Sequence, residues 1–396
     1  MNIKNIHAVL ICLAVLLILS CERDQVLPES QYYNTLSFAD SSATHPKAVI
    51  YQGILDDYAN GGGIGISVMI RDEYGTYLGT SGYADIVSGI QVEPGNQFLV
   101  ASVSKMITAT AAFALMEGGL FSMDDPVNRW IDRSITDEIG NANESTVRNL
   151  LGHTSGIRDI YTFKHLMPYM NRENNHWDDR DMLKFIYGKE PYYSVDEAWY
   201  YSNVNYILLG MIMEEASGLS LKEIYEQHIF NPLGLQSAFY DVGDQRLPEG
   251  LVKGYTDIHT NNWHVESERF YQDDVGIGGD GGIAINAQDL GRFMDELMAG
   301  NVISQTSLDQ MMDWFEGGYS TGGLAGYGIY SYPGFEDRPG IGHSGGIIGW
   351  EADVTYYPEQ DVTLVFMINN DLILSTTETD DNFNHFSLTL KEAIFE

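Results

Sequence analysis

The sequence predicts an α+β domain: an antiparallel sheet built from N- and C-terminal segments, flanked by helices, with a central helical lobe. Three observations carry this expectation. Strand-like runs stand early, at residues 65–70 and 76–83 around a Gly-bearing turn, and again late, at residues 349–357 and 362–369. Between them, from about Asp124 to Asp241, apolar residues recur at helical spacing, as over residues 205–216 and 221–230, with Pro232 and Gly234 just beyond. From Ala48 onward no repeat, low-complexity block or second linker intervenes, so strands from both ends are expected to share one sheet.

The chain opens with a single charge, Lys4, and an unbroken apolar run from Ala8 to Leu19 that ends at Ser20-Cys21. The run is shorter than the roughly 20 residues a spanning helix needs and fits a secretory signal over residues 1–20. Ile18-Leu19-Ser20-Cys21 resembles the bacterial lipobox, which makes Cys21 the expected lipidation site of an exported, cell-envelope protein anchored to a membrane. Residues 21–47, with Pro28, Pro46 and no sustained periodicity, read as anchor and tether, and residues 48–396 as the folded domain.

Composition removes several function classes. The only cysteines are Cys12, inside the signal, and Cys21, so the mature domain holds no disulfide and no cysteine-based zinc or redox centre. The formal charge is −35, or −36 once Lys4 leaves with the signal, and such a surface repels nucleic acid. With 44% hydrophobic and 12% aromatic residues the chain is rich enough in apolar side chains to bury a core. No metal or other cofactor is expected; the expected partners are a small-molecule or peptide substrate and, through the lipid, a membrane.

Past the opening hairpin, residues 102–117 read as a helix that Gly118-Gly119 stops. Ser102-Val103-Ser104-Lys105 sets a hydroxyl and an amine three residues apart at its start, on one face. A serine hydroxyl becomes a nucleophile when a base takes its proton, and an amine can do so once burial or the positive helix end depresses its pKa. An isolated S-x-x-K also reads as surface Ser and Lys. Tyr201-Ser202-Asn203 offers a phenol to relay a proton and an amide to hold a substrate, although Tyr32, Tyr58 and Tyr169 also begin Y-x-N triplets. His343-Ser344-Gly345-Gly346, expected immediately before the late strand pair, offers an imidazole and glycines that let a backbone edge approach a substrate; a Gly-rich turn with an incidental histidine is the other reading.

Taken in order, Ser102-x-x-Lys105, Tyr201-x-Asn203 and His343-Ser344-Gly345 resemble the penicillin-recognising serine hydrolases: class C β-lactamases, DD-carboxypeptidases, and related esterases and D-aminopeptidases. The strings Leu150-Leu151-Gly152-His153-Thr154-Ser155-Gly156, Asn231-Pro232-Leu233-Gly234-Leu235 and Gly281-Gly282-Ile283 resemble the same family, over roughly residues 49–370. The resemblance implies a β-lactamase/transpeptidase-like fold, with Ser102 the acylated nucleophile, Lys105 its activating partner and Tyr201 the proton relay. It further implies that Asn203 orients Lys105 and substrate, that His343 stands where the family's lysine stands, and that Ser344 and Gly345 line the substrate. The backbone N–H groups of Ser102 and Gly346 are the implied oxyanion hole.

Two departures bear on substrate. A histidine replaces a fixed positive charge, which disfavours carboxylate-bearing β-lactams, and Gly346 stands where another hydroxyl is usual. Arg158 and Arg338 are candidate carboxylate anchors, and His153 is expected to be a hydrogen-bonded structural residue. The expected activity is hydrolysis of amide or ester bonds in D-amino-acid, peptidoglycan-type peptides or small esters. A non-catalytic binder of cell-wall fragments and a weak β-lactamase are the alternatives.

Overall fold

The computed structural model describes residues 41–160, 179–240, 250–257, 264–267, 278–317, 323–370, 372 and 377–396. Residues 1–20 and Cys21 lie outside them, so the expected signal and lipid anchor carry no structural description. Among the described residues no helix is long and apolar enough to cross a membrane.

The chain enters through α1 (Ala48–Asn60) and the hairpin β1 (Gly65–Asp72) and β2 (Gly75–Asp85). The late chain supplies β3 (Tyr330–Phe335), β4 (Arg338–Ile347), β5 (Trp350–Tyr357) and β6 (Val362–Ile368). Among the described residues these form one nine-stranded sheet, in the order Ile90–Gln91, β2, β1, β6, β5, β4, β3, Leu324–Ala325, Phe315–Glu316. Every pairing is antiparallel, and β1 beside β6 is the seam where the two ends of the chain meet.

Period-two alternation sorts the strand side chains onto two faces. Ile66, Val68 and Ile70 of β1 lie opposite Ile368, Phe366 and Leu364 of β6, and all six belong to an outer cluster with Tyr51, Leu55 and Tyr58 of α1. Phe386, Leu390 and Ile394 close that layer from α5 (Thr377–Phe395). Met69, Val365 and Met367 point the other way, into a larger core shared with α2 (Ser104–Glu117), α3 (Asn203–Ser217) and α4 (Ala287–Met298). Full burial of one such apolar side chain contributes about 1.5–3 kcal/mol.

Two expectations shift. Residues 41–47 belong to the fold and not to a tether. The Ser42 hydroxyl accepts from Leu78 N–H at 2.7 Å, His45 Nε2 lies 3.0 Å from Asp72 Oδ1, and Lys47 Nζ donates to the Ala393 and Ile394 carbonyls at 2.8 and 3.0 Å. His343 to Gly346 sit within β4 and not in a turn ahead of the strand pair. Four glycines in β4 hide its strand character from propensity, but tertiary pairing with β5 overrides this.

Candidate active site

Ser102 lies in a one-turn 3-10 segment, Ala101–Val103, that leads directly into α2. Ala101 occupies the left-handed region at φ 45°, a conformation costly for a residue with a Cβ, and such strain clusters where a side chain must be presented in one way. Its neighbours Ala101 and Val103 are buried while Ser102 is partly exposed. One turn on, Lys105 is 1% exposed, because α2 runs through the core with apolar residues on all sides. Lys105 Nζ donates to Ser102 Oγ at 3.1 Å and to the Asp280 carbonyl, in the turn Gly278–Asp280. Burial pushes the ammonium down to about 8, against the pull of the Asp280 and Asp159 carboxylates.

The Tyr201 segment enters from α3. Lys105 Nζ lies 5.2 Å from the centre of the Tyr201 ring and 5.9 Å from that of Tyr206. His153, itself left-handed at φ 56°, stacks on Tyr201 with ring centres 4.4 Å apart, and on Tyr206 at 5.2 Å. Its Nδ1 accepts from Ser202 N–H at 3.3 Å and Asn205 Nδ2 at 3.1 Å, and its carbonyl accepts from Tyr200 N–H at 3.0 Å. Burial, then the Lys105 charge, holds its imidazole well below the ordinary range. His153 is thus a hydrogen-bonded post that fixes the backbone on both sides of Tyr201.

The third wall is β4. His343 and Gly345 lie opposite Val354 and Ala352 of β5, on the sheet face that meets α2, whereas Ser344 pairs with Asp353 on the other face. A Cβ on residue 345 would stand 2.6 Å from Ser102 N and 2.4 Å from the Val100 carbonyl oxygen, so only glycine lets the strand come this close to the serine turn. At Gly346 the obstacle would be the Glu351 carboxylate, at 2.5 Å. His343 is 2% exposed, with its ring against Tyr330 at 4.9 Å. Its Nδ1–H donates to the Ser344 carbonyl at 2.6 Å, leaving Nε2 as an unprotonated acceptor, buried and without a hydrogen-bond partner among the described residues. Burial, then the Lys105 charge, holds this imidazole down to about 3, so it is neutral near pH 7.

The profile of the Beta-lactamase family matches residues 52–382 of this chain. The chain belongs to the Beta-lactamase family. Among relatives of this family, a penicillin-binding protein of Bacillus subtilis is 28% identical over 74% of this chain and 65% of its own length, so the chain spans just under two thirds of that relative. Among solved structures, the D-amino acid amidase of Ochrobactrum anthropi superposes with a TM-score of 0.75 at 24% identity, over 87% of this chain and 97% of that one. A D-stereospecific amidohydrolase from Streptomyces gives 0.73 at 22%, over 85% and 98%. The fold is that of serine β-lactamases and penicillin-binding proteins.

Of the family residues expected from sequence, Ser102, Lys105, Tyr201 and Gly345 come together, and His343 lies on the same face of β4 as Gly345, within electrostatic reach of Lys105. Asn203 does not meet Lys105 as expected. Its amide donates to both oxygens of Asp159, at 3.2 and 3.1 Å, and its backbone N–H reaches Oδ1 at 2.9 Å. Both arginines have partners within the chain. Arg158 stacks over the Tyr192 ring at 4.4 Å and donates to the Glu190 carbonyl, while Arg338 pairs with Glu336 at 2.9 Å and covers the Phe395 ring.

Sequence reasoning missed Asp159 and Asp280. Both flank strings it had singled out, three residues after Gly156 and one before Gly281, and both act on Lys105. A cavity of about 1260 Å³ lies on the helical lobe between Asn128–Ile135 and Met211–Lys222 and shares no residue with this cluster. No group of three His, Cys, Asp or Glu residues suited to a metal occurs among the described residues.

Proposed function

We propose that the chain cleaves amide or ester bonds through an acyl-enzyme on Ser102, acting on D-amino-acid peptides or amides of peptidoglycan type, or on small esters. The observation that carries this reading is the 3.1 Å contact between Ser102 Oγ and the deeply buried Lys105 Nζ. A lysine with its pKa near 8 is neutral in a useful fraction of molecules near neutrality and can take the serine proton as Oγ bonds to the carbonyl carbon. The proton then passes through the Tyr201 hydroxyl to the leaving nitrogen or alkoxide as its bond to carbon breaks, and water reverses the sequence to free the acid. The N–H groups of Ser102 and Gly346 serve as the oxyanion donors; losing one such donor typically costs about 2.7–4 kcal/mol of barrier lowering.

A neutral His343 supports substrates that do not present a carboxylate to β4, which ranks amides and esters above β-lactams. The names of the D-amino acid amidase and the D-stereospecific amidohydrolase support the same ranking. The apolar run Ala8–Leu19 before Ser20-Cys21 further supports export and a lipid on Cys21, which palmitate labelling of the Cys21→Ser chain tests.

Fluorophosphonate labelling and turnover of a nitrophenyl ester, a D-alanine amide and nitrocefin test the enzyme reading. Labelling is expected in the native chain and absent in Ser102→Ala, whose turnover falls about 10⁴-fold or more. Ester and amide are expected above nitrocefin. A folded native chain that takes no label is a binder and not an enzyme.

A further inference from the structure

We propose that Thr108 and Tyr240 are positioning residues for the reaction: they hold the turn Gly278–Asp280 so that its Asp280 carbonyl keeps Lys105 Nζ beside Ser102. The inference rests on the acyl-enzyme reading and adds to it two residues outside the three motifs.

Lys105 Nζ donates to Ser102 Oγ and to the Asp280 carbonyl. The first acceptor is the reacting atom, so the second is what fixes the amine once Oγ turns to a carbonyl carbon. That second acceptor stands in Gly278-Gly279-Asp280-Gly281-Gly282, where four glycines give the backbone wide freedom. Gly278 and Gly282 use it, at φ 75° and 86°. A carbonyl in such a stretch keeps its place when its neighbours are tied down.

The ties come from α2 and from two tyrosines. Thr108 Oγ1 donates to the Gly279 carbonyl at 2.7 Å, and Tyr240 Oη donates to the Gly278 carbonyl at 3.0 Å. On the far side of Asp280, Ser104 Oγ accepts from Ile283 N–H at 3.3 Å. Tyr225 Oη lies 2.8 Å from Thr108 Oγ1. A hydroxyl has one proton, so with Thr108 donating to Gly279 the Tyr225 hydroxyl donates to Thr108. The Tyr240 ring meets the Tyr225 ring edge-on at 4.9 Å, which joins the two ties. Thr108, Tyr225 and Tyr240 are all buried, and burial shields these bonds from competing water. Gly279 lies so close to α3 that a Cβ there would stand 2.6 Å from the Tyr206 carbonyl oxygen.

Thr110 shows what a buried threonine of α2 does for the helix alone. Its hydroxyl bonds the Met106 carbonyl four residues back, at 2.8 Å. Thr108 makes the same contact with Ser104, at 3.0 Å, but adds the turn and Tyr225.

The groups that face Lys105 are Asp280 from the turn, Asp159 and His153 from the loop before residue 160, Tyr201 and Tyr206 from the α3 region, and His343 from β4. Both histidines are neutral near pH 7, and burial raises the Tyr206 phenol. The ammonium is therefore favoured by Asp280, through carbonyl and carboxylate, and by Asp159. Releasing the turn withdraws the Asp280 share, so Lys105 loses its proton at lower pH while it also loses its register with Ser102.

The test reads kcat and the pH dependence of kcat/KM for a nitrophenyl ester, per folded molecule of the full chain. Thr108→Val keeps the shape and removes the hydroxyl; kcat is expected to fall about tenfold and the acid-limb midpoint to move down by about 0.5–1 pH unit. Thr108→Ser is expected to restore most of both. Tyr240→Phe should move both in the same direction by less, and Thr110→Val should leave the midpoint in place. A midpoint that stays or rises in either Thr108→Val or Tyr240→Phe overturns the proposal even if kcat falls, because loss of packing alone gives that result. Tyr240→Phe decides by itself if Thr108→Val does not fold. An equal shift in Thr110→Val, or a Thr108→Ser chain that behaves like Thr108→Val, overturns it as well. Any of these with Ser102 still labelled by fluorophosphonate removes this inference alone, whereas a native chain that takes no label removes the acyl-enzyme reading beneath it.

Discussion

The two faces of the central sheet are built to different ends. The outer layer, between the sheet and helices α1 and α5, is dominated by aromatic and aliphatic contacts such as Tyr58 on Phe386 at 5.2 Å and Phe366 on Phe386 at 5.9 Å. The inner layer is larger yet buries Lys105, Thr108, His153, Ser155, Asn205 and His343 among its apolar residues. Burying these groups forfeits hydration that only specific partners restore. The outer face is therefore spent on stability, and the inner face tolerates a buried amine and an unsatisfied imidazole because they define the cleft.

The sharpest way to break this contrast is to remove the buried amine. Lys105→Met keeps the length of the side chain and is expected to cost about 10²–10⁴-fold in kcat/KM, read from ester hydrolysis. In the native chain kcat/KM should rise with pH as Lys105 loses its proton, with a midpoint near 8. The neutral form is the active one, so activity is lost as pH falls below that value. No inflection near the ordinary histidine range of about 6.5 is expected, because His343 is already neutral there. A limb at that pH would show that His343 titrates in the cleft.

A smaller effect follows from crowding the contact between β4 and the serine turn. Gly345→Ala places a methyl 2.4–2.8 Å from Val100 O, Ser102 N and Val103 N, so the strand must retreat. Turnover is expected to fall about 10²-fold, mostly in kcat, since the displaced N–H groups are the donors proposed for the developing oxyanion. The least effect on chemistry should come from the other face. Phe386→Ala is expected to cost about 3–5 kcal/mol in denaturant unfolding and to leave kcat per folded molecule within about twofold. A large loss of kcat there would mean that the two layers are not separable.

How much of this was legible varied with the range of the interactions. Ser102 and Lys105 could be paired from sequence because three residues of helix bring them together whatever the rest of the chain does. The hairpin of β1 and β2 was legible for the same reason. Tyr201 had three Y-x-N rivals and stood out only through the resemblance in motif order. The strand carrying His343 looked like a turn because Gly340, Gly342, Gly345 and Gly346 have poor strand propensity, and pairing with β5 decided otherwise. Asn203 bonds to Asp159 from 44 residues away, a contact no local pattern encodes.

By itself, then, the sequence determined the α+β class, the acidic surface, the order of the motifs and the local pairing of hydroxyl with amine, since each follows from composition or from periodicity within one element. Only the tertiary structure decided the charge state of the site. Whether Lys105 carries a proton depends on burial and on Asp280 and Asp159, and whether His153 and His343 do depends on burial and on Lys105, groups that distant stretches bring within electrostatic reach. Desolvation is a property of the assembled core, and no single segment carries it.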